Sequence, residues 1–384
     1  MKKRFLALCL TVALLATLSV MTVQAAEVEI SAPSAILMDA ATGTVLYECN
    51  ADERLAPASV TKVMTLLLVM EALDSGKIGW DDMVTASETA AAKGGSQVYL
   101  EVGEQMSMDD MLKSVVVSSA NDCATALAEH VAGSESAFVE LMNRRAAELG
   151  MENTNFVNCT GLDDGEHADE HLTTARDIAL MSRALLSHEE IRKYTTIWMD
   201  TVRNGNFGLS NTNKLVRFYE GTTGLKTGFT SGAGYCLSAS AERNGIELIA
   251  VVMHCESSSA RFSSAKALLD YGFANYALVT PDAELTVEPI PVLLGTQEEI
   301  TPVLSDATPI LVRKEQQASV TRTLTAEPSL TAPIAEGQTV GTLVIEADGT
   351  VLKEIPLVSP CSVEKLRYGD LLLRLLRAIC MGGE

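Results

Sequence analysis

Residues 55–68 read LAPASVTKVMTLLL, a stretch in which a serine and a lysine stand directly before an apolar run. The proline and the apolar run predict a helix over residues 58–75. Residues three apart share one helix face, so the side chains of Ser59 and Lys62 can meet there. A lysine in apolar surroundings favours its neutral form, which can take the proton of a serine hydroxyl. By itself, however, such a pair is more often a helix cap followed by a surface lysine.

Two further short motifs carry polar groups suited to the same chemistry. Ser119-Ala120-Asn121 lies at a break between helical patterns, where a hydroxyl can pass a proton and an amide can bind a peptide; the alternative is an N-cap for the next helix. Lys226-Thr227-Gly228 is predicted at the start of a strand. There a cation, a hydroxyl and close backbone access suit a carboxylate-bearing peptide along a sheet edge. The alternative for Lys226 is an exposed lysine before a turn.

The hydrophobic pattern places strands on either side of a helical middle. AILMDAATGTVLYECN, which starts at residue 35, predicts two strands joined at residues 41–43. Residues 107–149 hold two or three helical patterns, and LTTARDIALMSRALLS predicts a further helix capped at Thr173 or Thr174. Residues 224–255 return to a strand pattern, which the helix SSAKALLDYGFANYA follows. This order predicts an α+β domain in which helices pack on a sheet beside a separate helical lobe.

The two ends of the chain have their own patterns. Residues 1–26 combine a basic start, an apolar stretch and small residues, and this predicts a secretory signal peptide; the alternative is an uncleaved anchor. A main domain is expected over residues 27–280. Short alternating segments with an Asp348-Gly349 turn predict a small β domain over residues 281–360, for which a spacer or binding role is the default.

Residues 361–384 predict a terminal amphipathic helix. At 100° per residue, one narrow stripe holds Arg367, Asp370, Arg374 and Arg377, and the opposite side holds four leucines and Ile379. The apolar run is too short to span a membrane, so we expect the helix to lie in a membrane surface. The alternative is a helix that docks on the protein's own core.

The net charge of the chain argues against one class of function. The net charge of −21 makes nucleic-acid binding a poor hypothesis.

Cys236 and Cys255 lie on a predicted hairpin that turns at residues 244–245. With a two-residue turn Arg243 faces Ile246, so Cys236 faces Met253 and is diagonal to Cys255. Diagonal partners lie roughly 7–8 Å apart, which is too far for an unstrained disulfide, and we expect none there.

The three motifs occur in the order S-x-x-K, S-x-N and K-T-G, a set found in class A β-lactamases and penicillin-binding proteins. On these motifs, and on stretches such as GLDDGEHADEHLTTARDIALM and RFSSAKALLDYGF, the chain resembles the serine-type D-alanyl-D-alanine carboxypeptidases, the low-molecular-mass penicillin-binding proteins. The resemblance covers nearly the whole chain. It implies a β-lactamase/penicillin-binding-protein-like catalytic domain, a small all-β domain and a terminal amphipathic helix, held at the outer face of the cytoplasmic membrane.

The resemblance also implies catalytic roles. Ser59 would attack the carbonyl between the two D-alanines of a peptidoglycan stem peptide, and Lys62 would be its base. Ser119, backed by Lys226, would relay a proton to the leaving amine. The backbone N–H groups of Ser59 and Phe229 would form the oxyanion hole. β-Lactams would acylate Ser59, and no metal or organic cofactor is needed.

Substrate-binding roles follow from the same resemblance. Asn121 would hold the amide of the acyl chain. Lys226 and Thr227 would bind the terminal carboxylate, with Gly228 beside them. Arg261 matches a family arginine that assists in this; its alternative is an ion pair at a helix start.

Two other functions stay open at this point. A class A-like β-lactamase would need an E-x-x-x-N loop, and Glu166 is followed at i+4 by Glu170 instead. A non-catalytic cell-wall binding or scaffold protein would have no need of all three intact motifs.

Overall fold

The computed structural model describes residues 28–163, 167–282, 285–370 and 372. The predicted signal peptide lies outside these residues. Glu166 and most of the predicted terminal helix, residues 371 and 373–384, lie outside them as well. Across the described ranges, the helices are all too short or too polar to cross a membrane.

The chain up to residue 279 mixes helices and strands. In chain order these are β1 (Ser34–Asp39), β2 (Val45–Cys49), a 3-10 turn (Ala58–Thr61), α1 (Lys62–Asp74), β3 (Met83–Thr85), α2 (Glu88–Ala91), β4 (Gln105–Ser107), α3 (Met108–Val117), α4 (Asn121–Ala132), α5 (Glu135–Glu148), a 3-10 turn (Ala168–Glu170), α6 (Ala175–Leu186), a 3-10 turn (Glu189–Ile191), α7 (Arg192–Thr195), β5 (Met199–Val202), β6 (Phe207–Ser210), α8 (Leu215–Phe218), β7 (Thr222–Thr230), β8 (Gly234–Arg243), β9 (Ile246–Cys255), α9 (Ser258–Asn275) and β10 (Tyr276–Val279).

The centre of this region is an antiparallel five-stranded sheet in the order β2-β1-β9-β8-β7. Successive side chains of a strand point to opposite faces, and β9 shows the consequence. Its alternate residues Ile249 and Val251 enter a core shared with the helical lobe, whereas Leu248 and Ala250 enter a second core beneath α9. Both faces of the sheet are therefore covered.

Helix α1 is the buried axis of the helical lobe. It is apolar on nearly all sides, and such a helix has to be surrounded by protein. It packs against α4, α5, α6 and β7. Its first residue, Lys62, is consequently withdrawn from water together with the apolar residues that follow.

The rest of the chain is mainly β structure. Its elements are β11 (Ile290–Leu293), β12 (Glu299–Ile300), β13 (Val303–Leu304), β14 (Ile310–Arg313), α10 (Lys314–Gln317), β15 (Thr321–Ala326), β16 (Leu330–Thr331), β17 (Thr339–Ala347) and β18 (Thr350–Val358). One sheet has the order β12-β11-β16 and another the order β13-β18-β17-β15. Val363, beyond the last strand, pairs with Ile334 and belongs to the small core of this region. The fold is therefore α+β in the first part, with a five-stranded sheet beside a helical lobe, and all-β in the second part, as the sequence predicted.

Most predicted elements are confirmed. The strands flanking residues 41–43, the three helices within residues 107–149 and the Thr174 cap of α6 are all present. The predicted helix from residue 58 begins as a 3-10 turn and continues as α1. The placement of Lys226-Thr227-Gly228 at the start of a strand was wrong, because β7 already begins at Thr222.

The register of the cysteine hairpin was partly wrong. Arg243 does face Ile246, but a β-bulge between Tyr235 and Leu237 shifts the pairing, so that Tyr235 faces Cys255. The bulge was not visible in the alternating sequence pattern. Cys236 and Cys255 contribute to the cores on opposite sides of the sheet, and both thiols are free.

Candidate active site

Ser59 lies in the 3-10 turn at residues 58–61, called the Ser59 turn below. It is half-buried, and the preceding residue, Ala58, has a positive φ of 48°. The Nζ atom of Lys62 lies 2.9 Å from Ser59 Oγ and donates to the carbonyl oxygen of Thr160 at 2.8 Å. The lysine side chain is thus fixed at two points, with its nitrogen beside the hydroxyl.

The surroundings of Lys62 favour its neutral form. Its side chain is completely buried, and this burial lowers the pKa of Lys62 to about 7, against the opposing influence of Cys159 and Asp122. A large fraction of this lysine is therefore neutral near neutral pH. A neutral amine at hydrogen-bond distance from a hydroxyl can act as its general base.

The second motif forms the turn between α3 and α4. Ser119 is buried and has a positive φ of 62°. Asn121 opens α4: its N–H donates to Ser96 O and its Nδ2 to Gly94 O, both at 2.7 Å. Its buried Oδ1 atom has no hydrogen-bond partner within the described part of the chain. That oxygen is free to accept an amide N–H from a ligand.

Lys226 places a second buried cationic group in the same cleft. Its Nζ donates to the carbonyl oxygen of Thr227 at 3.0 Å. Burial, together with the positive charges of Lys62 and Arg261, lowers the pKa of Lys226 well below that of an exposed lysine. Lys226 is therefore close enough to Lys62 for the charge of Lys62 to affect its pKa.

Gly228 brings strand β7 against the Ser59 turn. A Cβ atom at this position would lie 2.5 Å from Pro57 O and 3.0 Å from Val60 N, so a glycine is required for this close approach. The next residue, Phe229, has a ring that is 54% exposed and lies 4.3 Å from the ring of Tyr235. The backbone after Gly228 thus runs past the nucleophile's turn.

Thr212 links the second and third motifs. Its N–H donates to Val117 O at 3.2 Å, just before the turn that holds Ser119. Its Oγ1 accepts a hydrogen bond from Thr227 Oγ1 at 2.6 Å. The helical lobe and the sheet edge are therefore tied together beside the cleft.

Arg261 donates hydrogen bonds to the backbone of strands β7 and β8. Its Nη1 donates to Gly228 O at 2.9 Å and to Cys236 O at 3.3 Å. Its guanidinium also lies over the rings of Tyr235 and Phe262. Among the described residues it forms no ion pair, so the alternative of an ion pair at the helix start was wrong. Burial lowers the pKa of Arg261 somewhat.

Several residues of the site were missed by the sequence reasoning. Gly161 was quoted only as the first residue of a family-like stretch, although a glycine within a polar loop signals a tight turn, and Thr160 was not considered. Thr212, Gly94 and Ser96 act through backbone groups or one hydroxyl, and nothing in their local pattern points to the cleft. Conversely, the structure brings the first and third motifs together, through the contact of Lys62 with Ser59, the influence of the Lys62 charge on Lys226 and the close approach of Gly228 to the Ser59 turn. Thr212 connects Thr227 with the segment just before the second motif.

The arrangement suits acyl transfer at a serine. It offers a hydroxyl beside a partly neutral lysine, a second lysine, a free amide oxygen and backbone N–H groups at the start of a helix. In the described ranges no group of three or more His, Cys, Asp or Glu side chains is placed to hold a metal ion.

Two parts of the chain match known families. Residues 19–257 match the family described as D-alanyl-D-alanine carboxypeptidase, and residues 274–365 match that described as penicillin-binding protein 5, C-terminal domain. The chain is 42% identical over 353 residues to the D-alanyl-D-alanine carboxypeptidase DacF of Bacillus subtilis (strain 168). This alignment covers 91% of this chain and 90% of the relative.

Solved structures show the same similarity. Penicillin binding protein 5 from Haemophilus influenzae matches with a TM-score of 0.72 and 33% identity, over 88% of this chain and 98% of that one. Penicillin-binding protein D2 from Listeria monocytogenes, in an ampicillin-bound form, matches with a TM-score of 0.59 and 33% identity. The second match covers 64% of this chain and 99% of that one.

The close approach at Gly161 gives a test of how tightly the Ser59 turn is held. A Cβ at Gly161 would lie 1.8 Å from Ala58 O. We expect Gly161→Ala to displace the turn and to slow acylation of Ser59 by a fluorescent penicillin on the order of 10²-fold, as a misplacement of about 1 Å can do.

Gly150→Ala is the matched control. Gly150 has nearly the same φ as Gly161, +75° against +79°, but nothing lies within 4 Å of its Cβ position. It should lose about 1–2 kcal/mol of unfolding free energy to the unfavourable φ and keep its acylation rate. Equal acylation rates in the two variants would contradict a tightly held turn.

Proposed function

The chain belongs to the D-alanyl-D-alanine carboxypeptidase family, and we propose that it carries out that reaction through a covalent acyl-enzyme on Ser59. It is a hydrolase of peptidoglycan metabolism and a penicillin-binding protein by fold. The observation that carries the mechanism is the 2.9 Å separation between Ser59 Oγ and the Nζ atom of Lys62, whose side chain is completely buried.

Acylation begins with the neutral form of Lys62. Its Nζ takes the proton of Ser59 Oγ, and the oxygen attacks the carbonyl carbon between the two D-alanines. The negative charge that develops on the carbonyl oxygen is stabilised by the backbone N–H groups of Ser59 and Phe229. The close contact between Gly228 and the Ser59 turn supports this assignment, because it brings the two backbone segments together.

Departure of D-alanine requires a proton on its amine. Ser119 relays that proton, with Lys226 behind it, and water then hydrolyses the acyl-enzyme in a second step. Asn121 accepts the amide N–H of the acyl chain through Oδ1, an assignment supported by the lack of a partner for that buried atom among the described residues.

The terminal carboxylate of the substrate binds Lys226 and Thr227, and the single hydroxyl proton of Thr227 is then donated to the carboxylate and no longer to Thr212 Oγ1. Burial and neighbouring positive charges hold the pKa of Lys226 low. A bound carboxylate is an opposite charge at short range, which favours the protonated lysine. Arg261 contributes through the hydrogen bond that it donates to Gly228 O, since this contact holds the strand that binds the carboxylate.

β-Lactams are proposed to acylate the same hydroxyl. The Listeria monocytogenes relative has been solved in ampicillin-bound and cefotaxime-bound forms. For this chain, we infer that the β-lactam carbonyl occupies the position of the scissile carbonyl next to Ser59.

We also propose a separate role for each of four segments of the chain. Residues 1–26 direct export, residues 27–280 carry catalysis, residues 281–360 form a β-rich spacer, and residues 361–384 attach the enzyme to the outer face of the membrane. The pairing of Val363 with Ile334 suggests that the attachment begins after this contact. In support, the ring of Tyr368 is 87% exposed.

Release of D-alanine tests the central proposal. We expect the full chain to release D-alanine from diacetyl-Lys-D-Ala-D-Ala, and Ser59→Ala to reduce release to background because the nucleophile is gone. Ser263→Ala, which removes an exposed hydroxyl on α9, should release D-alanine like the wild type. Undiminished release by Ser59→Ala would refute the mechanism.

The pKa of Lys62 sets the pH dependence of acylation. Lys62 acts as a base only when it is neutral, and burial lowers its pKa from 10.5 to about 7. The second-order rate constant for acylation by penicillin should therefore fall about tenfold per pH unit well below pH 7 and level off above it. A rate that keeps rising to pH 10 would mean that Lys62 titrates like an exposed lysine.

Membrane attachment is tested by shortening the chain. A variant that ends at Arg367 keeps the contact of Val363 and loses the leucine-rich segment. We expect it to leave the membrane fraction while it still releases D-alanine. A full-length Arg374→Glu/Arg377→Glu variant should bind anionic vesicles more weakly than the wild type. Unchanged sedimentation of the shortened chain with membranes would argue against this anchor.

A further inference from the structure

The peptide bond between Ala58 and Ser59 controls the direction of one oxyanion-hole group. A trans peptide is planar, so its C=O and its N–H point in opposite directions. Fixing the carbonyl oxygen of Ala58 therefore fixes where the N–H of Ser59 points. Ala58 has a positive φ of 48°, which costs an L-residue roughly 1–2 kcal/mol, so contacts from outside the turn have to hold it.

Those contacts reach the carbonyl through Thr61, the last residue of the turn, in a chain of three hydrogen bonds. The N–H of Val157 donates to His171 Nδ1 at 3.1 Å. His171 Nε2 lies 2.8 Å from Thr61 Oγ1, and Thr61 Oγ1 donates to Ala58 O at 2.8 Å. Both side chains are buried, so no bulk water competes for these groups.

The direction of each hydrogen bond follows from the first one. A backbone N–H can only donate, so Nδ1 of His171 is the acceptor and carries no proton. The ring proton is then on Nε2, which donates to the hydroxyl of Thr61. The hydroxyl has one proton, and it is used on Ala58 O. Burial lowers the pKa of His171 to about 4, which keeps the ring neutral near neutral pH.

The loop of residues 157–161, which contacts His171 through the N–H of Val157, also encloses the carbonyl oxygen of Ala58. Gly161 approaches so closely that a Cβ there would lie 1.8 Å from Ala58 O and 2.7 Å from Thr61 Oγ1. The residue before it, Thr160, accepts the hydrogen bond from Lys62 Nζ. The same loop therefore reaches both the base and the peptide of the nucleophile.

We propose that His171 and Thr61 are positioning residues, which orient the Ala58–Ser59 peptide so that the Ser59 N–H faces the reacting carbonyl. Neither residue touches the substrate. This inference rests on the proposed function, since it concerns the oxyanion hole of the Ser59 acyl-enzyme. A purely structural role of the same contacts would change stability without changing the hydrogen bond to that carbonyl.

The test compares two substitutions of nearly equal size. Thr61→Val keeps the shape and removes the hydroxyl, whereas Thr61→Ser keeps the hydroxyl. Each variant is acylated with benzylpenicillin, and infrared difference spectra record the carbonyl stretch of the ester on Ser59. Hydrogen bonds to a carbonyl lower this frequency, so the band reports directly on the oxyanion hole.

We expect Thr61→Val to acylate about 10- to 10²-fold more slowly, at the lower end of what loss of one oxyanion-hole donor costs. The loss should lie in the acylation step and not in the initial binding of penicillin, because the interaction is made in the transition state. Its ester band should move to higher frequency. Thr61→Ser should retain both the rate and the band of the wild type.

His171 gives a second, independent pair. His171→Leu removes the donor to Thr61, and His171→Gln retains an amide that can donate from about the same place as Nε2. We expect a raised ester frequency for the first variant and a smaller shift for the second. Thr61→Ala serves in place of Thr61→Val if the valine lowers the melting temperature by more than a few degrees.

Three results would overturn the proposed positioning role. An unchanged ester band in Thr61→Val, with an acylation rate within about twofold of the wild type, overturns the positioning role. A lowered melting temperature without a shift of the band does so as well. If the wild type itself forms no ester with penicillin, the covalent mechanism fails first and the positioning role fails with it.

Discussion

The burial of Lys62 is the constraint on which the rest of the site depends. Helix α1 is apolar on nearly every side, so it can only form the axis of a lobe that surrounds it. Its first residue shares that burial, and the pKa of Lys62 falls from 10.5 to about 7. This difference means that the charged form is about 5 kcal/mol less favourable than in water. The core that stabilises the fold thus also lowers the pKa of the proposed general base.

Close backbone approaches complete the site around this helix. Gly228 lets strand β7 reach the Ser59 turn from the sheet, and Gly161 lets a loop reach it from the helical lobe. Neither position has room for a Cβ atom. Because both approaches involve backbone atoms, the nucleophile is held by parts of the chain that have little freedom to move. Such preorganisation lowers the barrier to reaction.

The sequence predicted the fold class and the motif residues well, since hydrophobic periodicity and S-x-x-K, S-x-N and K-T-G are local signals. The sequence did not predict features that depend on residues far apart in the chain. The β-bulge at Tyr235–Leu237 shifts a register that simple alternation cannot reveal. Thr212 and Thr160 contribute through a backbone group or one hydroxyl, and their neighbours in the sequence do not indicate the cleft. The sequence also did not indicate that Arg261 donates hydrogen bonds to two backbone carbonyl groups.

Three cationic groups share one cleft in a chain whose net charge is −21. Among the described residues no carboxylate pairs with Lys62, Lys226 or Arg261. Burial lowers the pKa of each, and the neighbouring positive charges lower that of Lys226 further. In the proposed mechanism, a substrate carboxylate reverses this balance at Lys226 and favours its protonated form. Under that proposal, the group that identifies the substrate also prepares the lysine behind Ser119 for proton delivery, so a ligand that lacks a carboxylate would be disfavoured in the chemical step as well as in binding.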